Sequence, residues 1–169
     1  VLHPKSRGTV RLKNNNPRTP PLINPNYLSD SYDIDILIQG IEMIKEFINT
    51  PPMHRLGVKL NPIKFPGCEK FEFDTRPYWE CYVRHFTLTA YHPIGTCKMG
   101  EVVETDFKVK GTRKLYVVDG SILPDLPSGN PNGAIMMMAE RAAEIIKHHC
   151  WKTQRKCCAA EVFQKECQC

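Results

Sequence analysis

The 169-residue chain lacks most of the patterns that assign a function on sight. It has no Gly-x-Gly, hence no dinucleotide fingerprint of the GxGxxG kind. GxSxG, HExxH and the P-loop pattern are also missing, which removes the hydrolase elbow, the zincin site and the Walker phosphate cradle. No apolar run approaches the ~18 residues needed to cross a bilayer, so no membrane span is expected. There is no internal repeat, no low-complexity tract and no N-glycosylation sequon. Charge is weak as well: the net value is +5, and the basic residues are scattered with a small excess in "KTQRK". Without a basic stripe, a dedicated nucleic-acid binder is not expected. The chain opens at Val1 without a methionine or a secretory pattern, in sequence that already reads as folded protein. We therefore expect a fragment or a processed piece.

Paired cysteines of the CxxC kind are absent although the chain holds eight cysteines. Cys68, Cys81 and Cys97 are spread through the body, whereas Cys150, Cys157, Cys158, Cys167 and Cys169 crowd the end. The CC and CxC spacings do not match a zinc site built from two separated pairs, so no metal site is expected. Residues 150–169 read as a cysteine-rich, poorly ordered tail; a disulfide-linked tail is the alternative. Residues 1–149 read as one ordinary domain, with an apolar fraction sufficient to bury a core.

What is present is a mixture of strand and helix signals. "SRGTVRL" alternates Val10 and Leu12 with Arg11 and Lys13, the period of a half-exposed strand. "NNNPRTPPLINPNYLS", with four prolines and five asparagines, reads as a connecting loop. Ile34, Leu37, Ile38, Ile41, Ile44 and Ile48 then recur at helical spacing. Asp30 or Ser31 is placed to cap this helix, Pro51-Pro52 to end it, and its acidic residues read as a solvated face. Pro77 suits the first helical residue, and Trp79, Tyr82, Val83 and Phe86 share one face of the helix after it. That helix is expected to run into "YHPIGTCKMG" and to stop at His92. "KLYVVDG" reads as a short buried strand. "GAIMMMAERAAEIIKHH" reads as a helix from Gly133 to about His149, capped by Asn132 or Asn130, with Ala and Met on its packed side. No regular strand–helix alternation appears, so the fold class is α+β: an antiparallel or mixed sheet with helices packed on one face.

Few residues carry chemistry. His92 has the side chain best poised to take a proton near neutral pH, and Pro93 and Gly95 hold it on a stiff loop. A turn histidine is the plainer reading. Asn130, between Gly129 and Pro131, is either a cap or turn asparagine or an amide that holds a substrate oxygen while staying neutral. The helix start beside it offers unpaired N–H groups to an electron-rich ligand. Asp119 and Gly120 end a strand where a ligand contact and a simple turn are equally ready explanations. Cys97 reads as structural, and Met136 to Met138 as core.

Taken in order, "HPKSRGTVRL", "PPLINPNYLSDSYDIDILIQGIEMIKEFINT", "YHPIGTCKMG" and "LYVVDGSILPDLPSGNPNGAIMMMAERAAEII" resemble the C-terminal part of the glucose-methanol-choline (GMC) oxidoreductases. Among these the chain is most similar to the insect FAD-dependent glucose dehydrogenase-like members. The resemblance covers residues 1 to about 148. It implies FAD as cofactor, an alcohol or sugar as substrate, and a quinone or oxygen as electron acceptor. It implies His92 as the base on the substrate hydroxyl, with hydride passing to flavin N5, and Asn130 as the partner that hydrogen-bonds the substrate oxygen. Asp119, Gly120, Pro131 and Asn132 fall on stretches that approach the cofactor. It further implies an N-terminal flavin-binding domain outside this sequence, a chain inactive by itself, and secretion. The rival expectation is a truncated, non-catalytic paralogue serving as a binding or structural protein. A third reading, a metal-binding module of tail cysteines with His148 and His149, is the weakest.

Overall fold

The computed structural model describes the backbone of residues 1–159 and the side chains of residues 1–149. Within this range the chain forms two compact units, His3–Ala90 and a second that begins at Tyr91. The expectation for the cysteine-rich tail lies outside the described residues. The class is α+β, with a small antiparallel sheet and four α-helices among the described residues.

The first unit opens with β1 (Thr9–Arg11) and β2 (Leu22–Asn24), paired antiparallel with Val10 opposite Ile23. β2 corrects the sequence expectation, because it lies inside the stretch read as a connecting loop. Only the three residues between Pro21 and Pro25 are free to extend and donate, which is enough for a minimal ladder. α1 (Ser31–Ile48) begins where expected: Asp30 is its cap, and its carboxylate accepts the Tyr32 N–H at 2.9 Å. It ends at Ile48. Pro51-Pro52 do not merely stop it but open a separate short helix, α2 (Pro51–Arg55), at the first-turn positions where a missing N–H is harmless.

One acidic residue of α1 departs from the solvated-face expectation. Asp33 is 2% exposed. Its carboxylate accepts the backbone N–H groups of Lys5 (2.7 Å) and Ser6 (2.9 Å), and so ties the N-terminal segment to the helix. Beside it, Ile34 and Ile38 pack on Tyr78, Trp79 and Val83 of α3 (Arg76–Phe86). Pro77 is the second residue of α3, one position later than expected, still in the first turn where its missing N–H is harmless. The helix nevertheless ends at Phe86, short of His92, because residues 87–90 run on without regular structure. Cys68, fully buried in this core, is disulfide-bonded to Cys81 of α3, which anchors the loop before α3 to the helix.

The second unit is organised around Val103, Phe107, Ile122 and Ala142. The buried strand expected at "KLYVVDG" is absent. Tyr116 makes a single bridge to Lys108, and Val117 donates its N–H to the Phe107 carbonyl at 3.1 Å. Left-handed backbone at Phe107, Gly111 and Lys114 bends both segments too sharply for a longer ladder. The segment still delivers Val117 and Val118 to the cluster. α4 (Asn132–Ala159) starts one residue earlier than expected and continues further. Of its methionines only Met138 packs on the cluster; Met136 and Met137 are exposed, and buried Ala142 marks the packed side.

Candidate active site

All six residues singled out from the sequence lie in the second unit. His92 is half-buried and follows Tyr91, which adopts a left-handed φ of 59°. A bulky residue held there is strained by about 1–2 kcal/mol, and strain of this kind collects at functional loops. Gly95 turns the loop with φ 80°, a conformation that glycine adopts without penalty. From there the loop lies along residues 120–122. Gly95 donates to the Gly120 carbonyl (3.4 Å), Cys97 to that of Ser121 (2.9 Å) and Met99 to that of Ile122 (2.9 Å). The histidine loop is thus fastened by its own backbone to the turn that follows "LYVVDG".

That turn is a single 3-10 turn, Gly120–Ile122, capped by Asp119. The Asp119 carboxylate accepts the Ser121 N–H at 2.8 Å and the Ser121 hydroxyl. The turn explanation for Asp119 is therefore correct as far as it goes, although the residue stays exposed on its outer side. Gly120 is the point of closest approach. A Cβ built on it would stand 3.3 Å from Ile135 Cδ1 of α4, 3.5 Å from the Pro93 carbonyl oxygen and 3.7 Å from Ile94 Cγ2. Pro93 is next to His92, and Ile135 lies one helical turn beyond Pro131. Gly120 thereby brings the HPIGT loop and the start of α4 together.

At the helix start, Pro131 is buried and its carbonyl accepts the Ile135 N–H at 2.9 Å. This puts Pro131 at the capping position and Asn132 inside the helix as its first residue, so neither Asn130 nor Asn132 occupies the cap expected of it. Asn130 is exposed, one residue outside. The N–H groups of Asn132, Gly133 and Ala134 have no partner within an α-helix, and they carry the positive end of a long helix dipole. Nothing lies within 4 Å of a Cβ built on Gly129 or Gly133, so the approach to those groups is open. An electron-rich ligand would fit this set of backbone N–H donors.

Sequence reasoning missed Ser121, whose carbonyl and hydroxyl link the histidine loop to Asp119; nothing in "DGSIL" announces it. It also missed the Cys68–Cys81 pairing. Two depressions of about 520 and 500 Å³ lie in the first unit, one beside Lys45, His54 and Asp74, the other along the acidic face of α1. Neither includes a residue of the candidate site.

The GMC oxidoreductase family profile matches residues 4–139. The chain belongs to the GMC oxidoreductase family. It is 39% identical over 153 residues to glucose dehydrogenase [FAD, quinone] of Drosophila pseudoobscura pseudoobscura, covering 87% of this chain and 24% of that protein. It is 41% identical over 149 residues to alcohol dehydrogenase [acceptor] of Pseudomonas putida, covering 86% of this chain and 26% of that one. A fungal aryl-alcohol oxidase has a similar structure, with a TM-score of 0.74 and 32% identity over 88% of this chain and 24% of the other. The GMC chain described here thus spans about a quarter of the length of the curated relatives it matches.

Proposed function

We propose that residues 1–149 form the C-terminal catalytic portion of an FAD-dependent oxidoreductase that acts on a CH–OH group of an alcohol or sugar. The observation that carries this reading is Gly120, against which the residues following His92 and the first turn of α4 both pack. Two stretches about thirty residues apart are thereby made one neighbourhood. A ring nitrogen of His92 takes the proton of the substrate hydroxyl. The Asn130 amide donates to the same oxygen and stays neutral as negative charge grows there. A positioned base of this kind contributes roughly 10²–10⁴-fold. FAD, when bound, supplies the acceptor for the hydride that leaves the substrate carbon. Asp119, Gly120, Pro131 and Asn132 would line its approach, with the first N–H groups of α4 favouring electron density on it. Quinone and oxygen are both open as final acceptors, and the same reading makes the protein a secreted one.

The test begins with the intact mass of the native polypeptide that carries this sequence. A mass several times 19.4 kDa supports a complete flavoenzyme; one near 19.4 kDa supports the non-catalytic product instead. In the full-length protein, His92→Ala is expected to lower kcat by about 10²–10⁴-fold on alcohols while the flavin absorbance is retained. Unchanged turnover in that variant would remove His92 from the mechanism. Recovery of the native protein from the culture medium or from cells decides its location.

A further inference from the structure

A second group of chemistry-bearing residues lies in the first unit, and none of them belongs to the candidate active site. Cys81 and His85 are four apart on α3, so both side chains leave one face of the helix. Cys68 reaches the same spot from the preceding loop. His85 Nδ1 stands 3.9 Å from Cys68 Sγ and 3.8 Å from Cys81 Sγ, almost equidistant from the two. The ligand atoms of all three residues lie within 4.8 Å of one another. The imidazole is held there rather than free to swing: its Nδ1 is 2.8 Å from the Cys81 carbonyl oxygen, and Phe65 packs beside the ring. Gly67, with φ 92°, turns the chain beside the ring, where a Cβ would stand in ordinary contact with His85 Nε2 at 3.5 Å.

We propose that the reduced form of this protein binds a zinc-class divalent cation through Cys68, Cys81 and His85, and that the disulfide is the oxidised, metal-free state of the same site. Tetrahedral zinc with bonds of ~2.3 Å to sulfur and ~2.0–2.1 Å to nitrogen sets a sulfur–nitrogen separation of roughly 3.6 Å. The ring already meets that separation to both sulfurs within a few tenths of an ångström. Only the two sulfurs have to part, to roughly 3.8 Å by the same geometry. Two thiolates and one imidazole make a soft donor set suited to zinc, with a fourth position left to water. The chemistry balances simply. A dithiol reductant gives two electrons and two protons to the Cys68–Cys81 bond and becomes a disulfide itself. The cation then displaces the two thiol protons, while His85 binds it through Nδ1 as a neutral imidazole with its proton carried on Nε2, giving up the hydrogen bond to the Cys81 carbonyl.

The experiment uses the purified full-length protein, reduced with a phosphine that is a poor zinc ligand, with Zn²⁺ in excess over all eight cysteines. Alkylation by iodoacetamide is followed cysteine by cysteine through peptide mapping. Zinc is expected to slow labelling of Cys68 and Cys81 at least about tenfold in the wild type, and to lose most of that protection in His85→Ala. It is also expected to raise the thermal midpoint of the reduced wild type but not of the variant. His85 is exposed, so the oxidised variant should keep its disulfide and melt like the wild type, which controls for misfolding. Equal protection in His85→Ala, or no protection of Cys68 and Cys81 in the wild type, overturns the proposal.

Discussion

Asp33 shows how much one side chain can settle in this fold. Burial pushes its carboxyl up, but hydrogen bonds from the Ser6 hydroxyl and from the N–H groups of Lys5 and Ser6, helped by the Arg7 charge, outweigh that and hold it below the usual aspartate value of 3.8. A carboxyl depressed in the folded state contributes stability that is fully present above pH 3.8 and is lost as the pH falls through the lower, folded-state value. Asp33→Asn is therefore expected to destabilise the first unit by about 1.5–3 kcal/mol at neutral pH, the range for hydrogen bonds to a charged group. In urea titrations at successive pH values, the wild-type midpoint should fall at acid pH and the variant's should fall less. Parallel curves would mean that the carboxylate contributes only geometry. None of this was legible beforehand, because Asp33 stands among Asp35, Glu42 and Glu46 and its partners lie almost thirty residues upstream. His92 and Asn130, by contrast, stood out as candidates through their proline and glycine neighbours, while the roles expected of them came from the family resemblance.

At the scale of elements, legibility follows the length of the periodic signal. α1, α3 and α4 repeat their apolar residues over several turns, and each was readable as a helix, although Asp33 is buried and Ile44, Phe86, Met136 and Met137 are exposed against the faces read for them. β2 and the bridge at Tyr116 were not, since a three-residue ladder or a single bridge leaves no period to read. The Cys68–Cys81 link was hidden for another reason: pairing depends on a loop returning to α3, which spacing alone does not reveal. Its energetic role can be measured. Closing a loop across 13 residues restricts the unfolded chain by about 3 kcal/mol in the chain-entropy account. The double variant Cys68→Ala with Cys81→Ala loses packing of the fully buried Cys68 as well, so a loss of about 3–4 kcal/mol is expected from chemical denaturation. A loss under about 1 kcal/mol would show that the aromatic packing of Phe65, Tyr78 and Tyr82 holds the loop without it.

Gly120 links element to site and carries a sharper expectation. A methyl group there meets Ile135 Cδ1 at 3.3 Å, which a leucine-like side-chain end can yield, but a branched residue would also press on the Pro93 carbonyl. Gly120→Ala is expected to fold with a loss of about 1 kcal/mol, and Gly120→Val with about 2–3 kcal/mol. In a full-length flavoenzyme, both should lower kcat more than they raise KM, because the His92 loop is moved relative to α4 while its residues stay intact. A variant that melts earlier yet turns over normally would confine Gly120 to packing.

For the molecule as a whole, the distribution of exposed apolar side chains sets the last expectation. Met43, Ile44 and Phe47 form an exposed strip on α1, each more than half exposed, and the adjacent Met136 and Met137 are exposed near the start of α4. Leu12 and Ile23 add to this on the hairpin side of the first unit. Scattered apolar residues on a surface call for no explanation, but strips at helical spacing are the mark of faces that other protein covers. A net charge of +5 is a weak counterweight to association. Residues 1–149 expressed alone should therefore bind a hydrophobic dye strongly and self-associate at micromolar concentration. Met43→Lys with Phe47→Glu, and Met136→Gln with Met137→Lys, should each remove part of the dye signal without unfolding the chain. If the isolated chain stays monomeric and leaves the dye dark, its apolar strips are ordinary surface. That outcome would count against the expectation that a flavin-binding portion packs on the exposed start of α4.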